Sequence, residues 1–224
     1  MRGFNHLINN LERTSSKNSI FNYVSGRRAL LSLGKENIHD WLETLLPNTR
    51  LILEPKIIGT CFGIQYINGT INKAINKNSV DITKKVKSLR CFPENIPIKK
   101  RIELRGVLYD VKNTSYKKNT TEFLNIKKAS TTRNRINYCA FQLFHCKINQ
   151  FNALQELKTL GFEIPETEFT NFVSDIEIYR RCWKEGRLFQ RYPTSGIVLK
   201  INSRKLQKHL GENNLSRHWA YAIN

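Results

Sequence analysis

Apolar positions along this chain alternate between two spacings. In KENIHDWLETLL (35–46), Ile38, Trp41, Leu42 and Leu45 recur three or four residues apart, which predicts a helix ended by Pro47 and Asn48. LILEPKI (51–57), CFGIQYI (61–67) and TINKAIN (70–76) read as strands. Asn68-Gly69 between the last two is a strong hairpin signal, because both residues tolerate positive φ. RIELRGVLYD (101–110) and INYCAFQLFHC (136–146) predict two more strands, with a polar Lys/Asn/Thr-rich connection between them. FNALQELKTLGF (151–162) predicts a helix that buries Leu154 and Leu157 and stops at Gly161. Ser174 and Glu177 have the spacing of a capping box, opening a helix that runs through Trp183. SGIVLKIN (195–202) predicts a buried strand, RKLQKHLG (204–211) a short basic helix, and HWAYAIN (218–224) a closing strand of alternating small and large residues. Hairpins outnumber β-α-β units, so the predicted class is α+β with largely antiparallel sheets flanked by helices.

Two lysines interrupt this pattern. Lys56 lies between Leu51-Ile52-Leu53 and Ile57-Ile58, and Lys200 lies between Val198-Leu199 and Ile201. A buried ammonium is costly without a partner, and desolvation beside other cations favours the neutral, nucleophilic amine. The alternative is that each lysine points outward from a half-exposed strand.

Charge narrows the partners. The 224 residues hold 37 Lys and Arg against 18 Asp and Glu, a formal net charge of +19. Such a field attracts polyanions, with nucleic acid ranked ahead of a membrane surface. No run approaches the roughly 20 apolar residues of a membrane span, and the N-terminus has no apolar core of a secretory signal. The five cysteines (Cys61, Cys91, Cys139, Cys146, Cys182) form no C-x-x-C pair. That argues against a zinc site and a disulfide framework, and for a reducing, cytoplasmic setting.

Eight segments occur in the order and rough spacing of one family. They are LSLGKENIHDWLETLL (31–46), LEPKIIG (53–59), IQYINGTINKAI (64–75), ELRGVLY (103–109), LGFEIPET (160–167), SGIVLKIN (195–202), LQKHLG (206–211) and RHWAYAI (217–223). Together they resemble the adenylation (nucleotidyltransferase) domain of bacterial NAD-dependent DNA ligases. The resemblance implies NAD and Mg²⁺ as cofactors, with ATP still open as a donor. It implies Lys56 as the catalytic nucleophile that forms a lysyl-AMP for nucleic-acid end joining or repair. Ser32 and Leu33 would line the base, Glu54 would sit near the adenine, and Phe141 would stack on it or else simply pack in the core. Gly59 and Arg105 match motif positions around the nucleotide, and Lys200 matches a lysine that contacts the α-phosphate. Lys127, Arg135, Lys205 and Lys208 are the candidate nucleic-acid contacts, and no protein ligand for a metal is assigned.

Departures from the family pattern cluster on acids. Ile58 stands where the K-x-D-G motif has aspartate, Val107 where a glutamate follows Arg-Gly, and Ser195 where an aspartate precedes a later glycine. Asn224 falls where the family places its last phosphate-binding lysine. Losing several charged contacts together predicts reduced activity, with a catalytically inactive fold that binds nucleic acid through its basic surface as the alternative. Glu103 is not expected to stand in for Val107, since the two lie about 13 Å apart along a strand.

The expected organisation is a polar N-terminal arm or short helix over residues 1–25 and one adenylation domain over 26–224. No OB-fold, zinc-finger, helix-hairpin-helix or BRCT segment is expected. Nicked DNA or another nucleic acid is the expected partner, without a membrane, and a partner protein could supply the family's other domains.

Overall fold

The computed structural model describes residues 32–34, 38–111, 135–211 and 216–224. The expected N-terminal arm lies outside the described residues.

The chain enters on strand β1 (Ser32–Gly34) and helix α1 (Ile38–Glu43). Strands β2 (Leu51–Ile57), β3 (Thr60–Ile67) and β4 (Thr70–Asn76) follow, then the short helix α2 (Thr83–Lys87) and strand β5 (Ile102–Asp110). Strand β6 (Ile136–Leu143), helix α3 (Gln150–Thr159), strand β7 (Glu168–Thr170) and helix α4 (Val173–Lys184) come next. Strand β8 (Thr194–Ile201), helix α5 (Arg204–Leu210) and strand β9 (Ser216–Ile223) complete it. One sheet has five strands in the order β1-β9-β8-β2-β7, and the other has four in the order β4-β3-β5-β6. Every pairing is antiparallel except β1 with β9. The fold is α+β, as the hairpin pattern predicts.

The β3–β4 hairpin turns on Asn68 and Gly69, with φ of 51° and 82°. Successive positive φ values at this dipeptide suit the right-handed twist of the flanking strands. Helix α3 buries Leu154 and Leu157 and is followed by Gly161 at φ 89°. On α1 it is Trp41 that goes under; its ring nitrogen donates to the His218 carbonyl at 2.8 Å, tying the helix to β9.

The capping box is absent. Helix α4 starts at Val173 with Phe172 as N-cap, and no side chain caps it. Thr170 Oγ1 instead accepts from the Phe172 amide at 2.9 Å and donates to Asp175 Oδ2 at 2.6 Å. The helix therefore begins one residue before Ser174, and the local turn is organised from β7.

Two apolar cores result. The first lies on one face of the four-stranded sheet, where Phe62, Ile64, Leu104, Leu108 and Tyr138 pack with Leu157 of α3 and Val86 of α2. The second gathers Leu51, Leu53, Ile197, Leu199 and Ile201 of the five-stranded sheet with Trp41, Ile176 and Trp219, and reaches Val107, Tyr109 and Cys139 of the other sheet. Strand β5 separates the two, and each of its residues is buried. Its even-numbered apolar residues face the first core and its odd-numbered ones the second, which follows from the two-residue period of a strand.

Candidate functional site

On β2 the residues Ile52, Glu54 and Lys56 alternate away from Leu51 and Leu53. In the β2–β8 ladder Ile52 opposes Lys200 and Glu54 opposes Val198, so Glu54 and Lys200 are diagonal neighbours on one face. On β9, Ala220 opposes Lys200 and Ala222 opposes Val198. The small partners in this closing strand leave room beside the lysine. A cleft of about 130 Å³ opens here, with Arg105, Val107 and Phe141 of the four-stranded sheet among its lining.

Within it Lys200 Nζ donates to Glu54 Oε2 at 2.6 Å and to the Phe141 carbonyl at 3.0 Å. Gln150 of α3 donates to Glu54 Oε1 at 3.3 Å and to the same carbonyl at 3.0 Å. Both charged side chains are at most 5% exposed. Burial pushes the Glu54 carboxyl above its ordinary value, opposed by Lys200 and Gln150. Burial pushes the Lys200 ammonium down, opposed by Glu54 and reinforced by Arg217 and Arg105. The Phe141 ring lies 5.0 Å from Lys200 Nζ and 5.5 Å from the Arg105 guanidinium carbon, so cations flank an aromatic face.

Lys56, the next-to-last residue of β2, is half-buried, and its Nζ donates to Asn224 Oδ1 at 2.6 Å. An amide oxygen thus meets this amine at the position where a lysine is expected. Gly59 and Gly106 are packing requirements. A Cβ on Gly59 would meet the Leu108 carbonyl oxygen at 2.2 Å and Val107 Cγ2 at 2.5 Å. One on Gly106 would meet the Tyr138 ring at 2.4 Å and the Cys139 carbonyl oxygen at 2.5 Å. Val107 is buried in the second core, so the position of the expected glutamate is filled by apolar packing.

The structure therefore brings together Lys56, Glu54, Arg105, Phe141 and Lys200 around one cleft. Gly59 supports it from behind Val107. Ser32 and Leu33 lie on β1, whose backbone pairs with β9 at Ser216 and Arg217. Arg135 closes the far end of the β5–β6 pair, donating to Asp110 Oδ2 at 3.0 Å, and does not line the cleft. Lys205 and Lys208 are exposed on α5, which packs against β8 and β9. The exposed Lys84, Lys85 and Lys87 sit on α2, against β4 of the other sheet. The basic clusters are carried by different sheets. Lys127 lies outside the described residues.

Sequence reasoning missed Arg217, Gln150 and Trp219. Arg217 is 4% exposed and lines the cleft, with its guanidinium 5.5 Å from the Trp219 ring. A basic residue next to His218-Trp219-Ala220 was the available signal, but its burial depends on the packing of β1 against β9. Glu54 is the carboxylate in the cleft lining and is already bound to Lys200 and Gln150. Among the described residues no group of three or more His, Cys, Asp or Glu could hold a metal ion. The residues present do not fit a protein-held Mg²⁺. What they do offer is an aromatic face and several cations in a low-dielectric cleft, an arrangement suited to a flat base bearing a phosphate.

Comparison with known proteins agrees with the architecture. The chain is 27% identical over 201 residues to a DNA ligase of Mesoplasma florum, covering 78% of this chain and 30% of the ligase. It is 30% identical over 223 residues to a DNA ligase of a Wolbachia from Brugia malayi, covering 85% of this chain and 32% of the ligase. The chain is homologous to part of the DNA ligases. It spans about a third of the length of those curated ligases. The solved structure Pmar-Lig_PreS3 shares the ligase nucleotidyltransferase fold at TM-score 0.51 and 10% identity, covering 79% of this chain and 42% of that one. No protein-family model matches the chain. Among the described residues, no helix of this ligase relative is long and apolar enough to cross a membrane.

Proposed function

We propose that this chain is a ligase-type adenylation domain, spanning residues 26–224, in which Lys56 accepts an adenylate from NAD. The lysine amine attacks the α-phosphorus, a P–N bond forms, the P–O bond to nicotinamide mononucleotide breaks, and the amine gives up its proton. The observation that carries this reading is the shared cleft of Lys56, Glu54, Lys200, Arg105 and Phe141, reached from three different strands of two sheets. Arg105 and Lys200 would hold the phosphate oxygens and Phe141 the base. The nucleophile is half-buried beside an amide oxygen, which orients its lone pair away from bulk water. The product lysyl-AMP would serve nicked DNA or another nucleic acid, held by basic side chains such as Lys205 and Lys208. Apolar Ile58 and buried Val107 in place of two acids make the transfer slow.

That same substitution pattern favours a second reading: a catalytically inactive ligase fold that binds nucleic acid. One experiment separates them. The purified chain is incubated with NAD or with ATP, each with Mg²⁺, and its intact mass is read, with Lys56→Ala alongside. The proposal expects an added adenylate from NAD that Lys56→Ala abolishes. A folded protein that gains none from either donor leaves the binding module. An adduct from ATP alone corrects the donor.

A further inference from the structure

The cleft contains more positive charge than the Lys56 reaction employs. Lys200 and Arg105 flank Phe141, and Arg217 enters from β9. Arg217 is almost fully buried, although nothing in the β-ladder requires a cation there. Its position is fixed twice: its backbone pairs with Leu33 in the only parallel ladder among the described strands, and its guanidinium lies over the Trp219 ring. Stacking restrains the planar fork and leaves its N–H edge to donate, the geometry that matches phosphate oxygens. Three buried cations thus face a cleft whose carboxylate, Glu54, is already bound to one of them. Such an excess would be costly without an anion in the cleft. No cluster of acids capable of holding a divalent ion exists among the described residues.

We propose that Arg217, with Lys200 and Arg105, forms a phosphate clamp that binds an adenine nucleoside monophosphate without a divalent metal. The clamp rests on the nucleotide reading of the cleft and adds to it a residue and a metal independence. Protein cations supply the charge that a metal would otherwise bring to the phosphate.

The test is calorimetric titration of the full chain with AMP in EDTA and again in Mg²⁺, with adenosine as the phosphate-free control. Wild type is expected to bind AMP with the same Kd in both buffers and adenosine more weakly. Arg217→Gln should weaken AMP by about ten- to a hundred-fold, the loss of a charged hydrogen bond, and leave adenosine unchanged. Binding of AMP that requires Mg²⁺, or Arg217→Gln binding AMP like wild type, overturns the clamp while the nucleotide cleft stands. If folded wild type binds neither AMP nor adenosine, the nucleotide reading falls and the clamp with it. Should Arg217→Gln not fold, Arg217→Lys decides: it keeps the charge but not the fork, so weaker AMP binding is expected and unchanged binding overturns the proposal.

Discussion

Two glutamates in this molecule are nearly equally buried, Glu54 at 2% exposure and Glu103 at 1%. Glu103 accepts from Gln65 at 3.0 Å, meets His145 Nε2 at 3.2 Å, and lies 3.5 Å from Arg101. Gln65 in turn accepts from Asn72, so the network ties β3, β4, β5 and the end of β6 together. Glu54 binds Lys200 and Gln150, but its network borders a cleft instead of filling one. Burial of a carboxylate therefore does not by itself mark chemistry. The cleft beside Glu54, with its cations, an aromatic ring and two alanines, marks it. The contrast also explains why Glu103 does not replace the acid missing at Val107. Its oxygens are engaged elsewhere, and the β5–β6 register shifts between Arg105 and Gly106, between Glu103 and Val107.

The largest expected effect comes from breaking the Glu54 pair. Lys200→Met leaves a buried carboxylate without its cation and should cost about 3–5 kcal/mol, read from urea unfolding. The double change Glu54→Leu with Lys200→Met should recover most of it. The pH dependence has a definite sign. Burial already raises the Glu54 carboxyl above 4.5, and removing Lys200 takes away the main opposing influence. A raised folded pKa means stability that is present below about 4.5 and lost as pH rises through the folded value. Lys200→Met should accordingly be more stable relative to wild type at pH 4.5 than at pH 7.5. Equal deficits at both would mean Glu54 is not the group left stranded.

A smaller effect is expected at the residue between the two networks. Gly106→Ala forces a Cβ into the Tyr138 ring and the Cys139 carbonyl, so β5 and β6 must part there. Overpacking of this kind costs roughly 1–3 kcal/mol. It should lower Tm and also impair adenylate uptake, since Arg105 and Val107 flank the site. A variant with wild-type Tm would refute the close approach of these strands.

The smallest effect belongs to the structural glutamate. Glu103→Gln keeps the shape and loses charge-assisted bonds to Arg101 and His145, which should cost about 1 kcal/mol. Nucleotide binding should be unchanged. Weakened binding would mean that the two networks are coupled through β5.

Much of the frame was legible along the chain because it depends on local signals. The Asn68-Gly69 turn, the Gly161 and Gly211 stops, and the lysines set in apolar runs all follow from near neighbours. The capping-box expectation failed because Ser174 and Glu177 have the spacing but Thr170, in the preceding strand, organises the turn. Arg217, Gln150 and Asn224 were not legible as site residues. Each reaches the cleft or Lys56 through contacts more than 90 residues away in sequence, as Gln150 to Glu54 and Lys56 to Asn224 illustrate. Val107 reads as a lost acid in the sequence. Packed against Gly59 and the second core, it is also a structural part, so restoring a glutamate there would not simply restore a site.

The most direct test of the central claim is a peptide-level map of the chain after incubation with NAD and Mg²⁺. The account predicts an adenylate on the peptide carrying Lys56 and on no other lysine peptide. An adenylate on a different lysine, or none on a chain verified as folded, would contradict it.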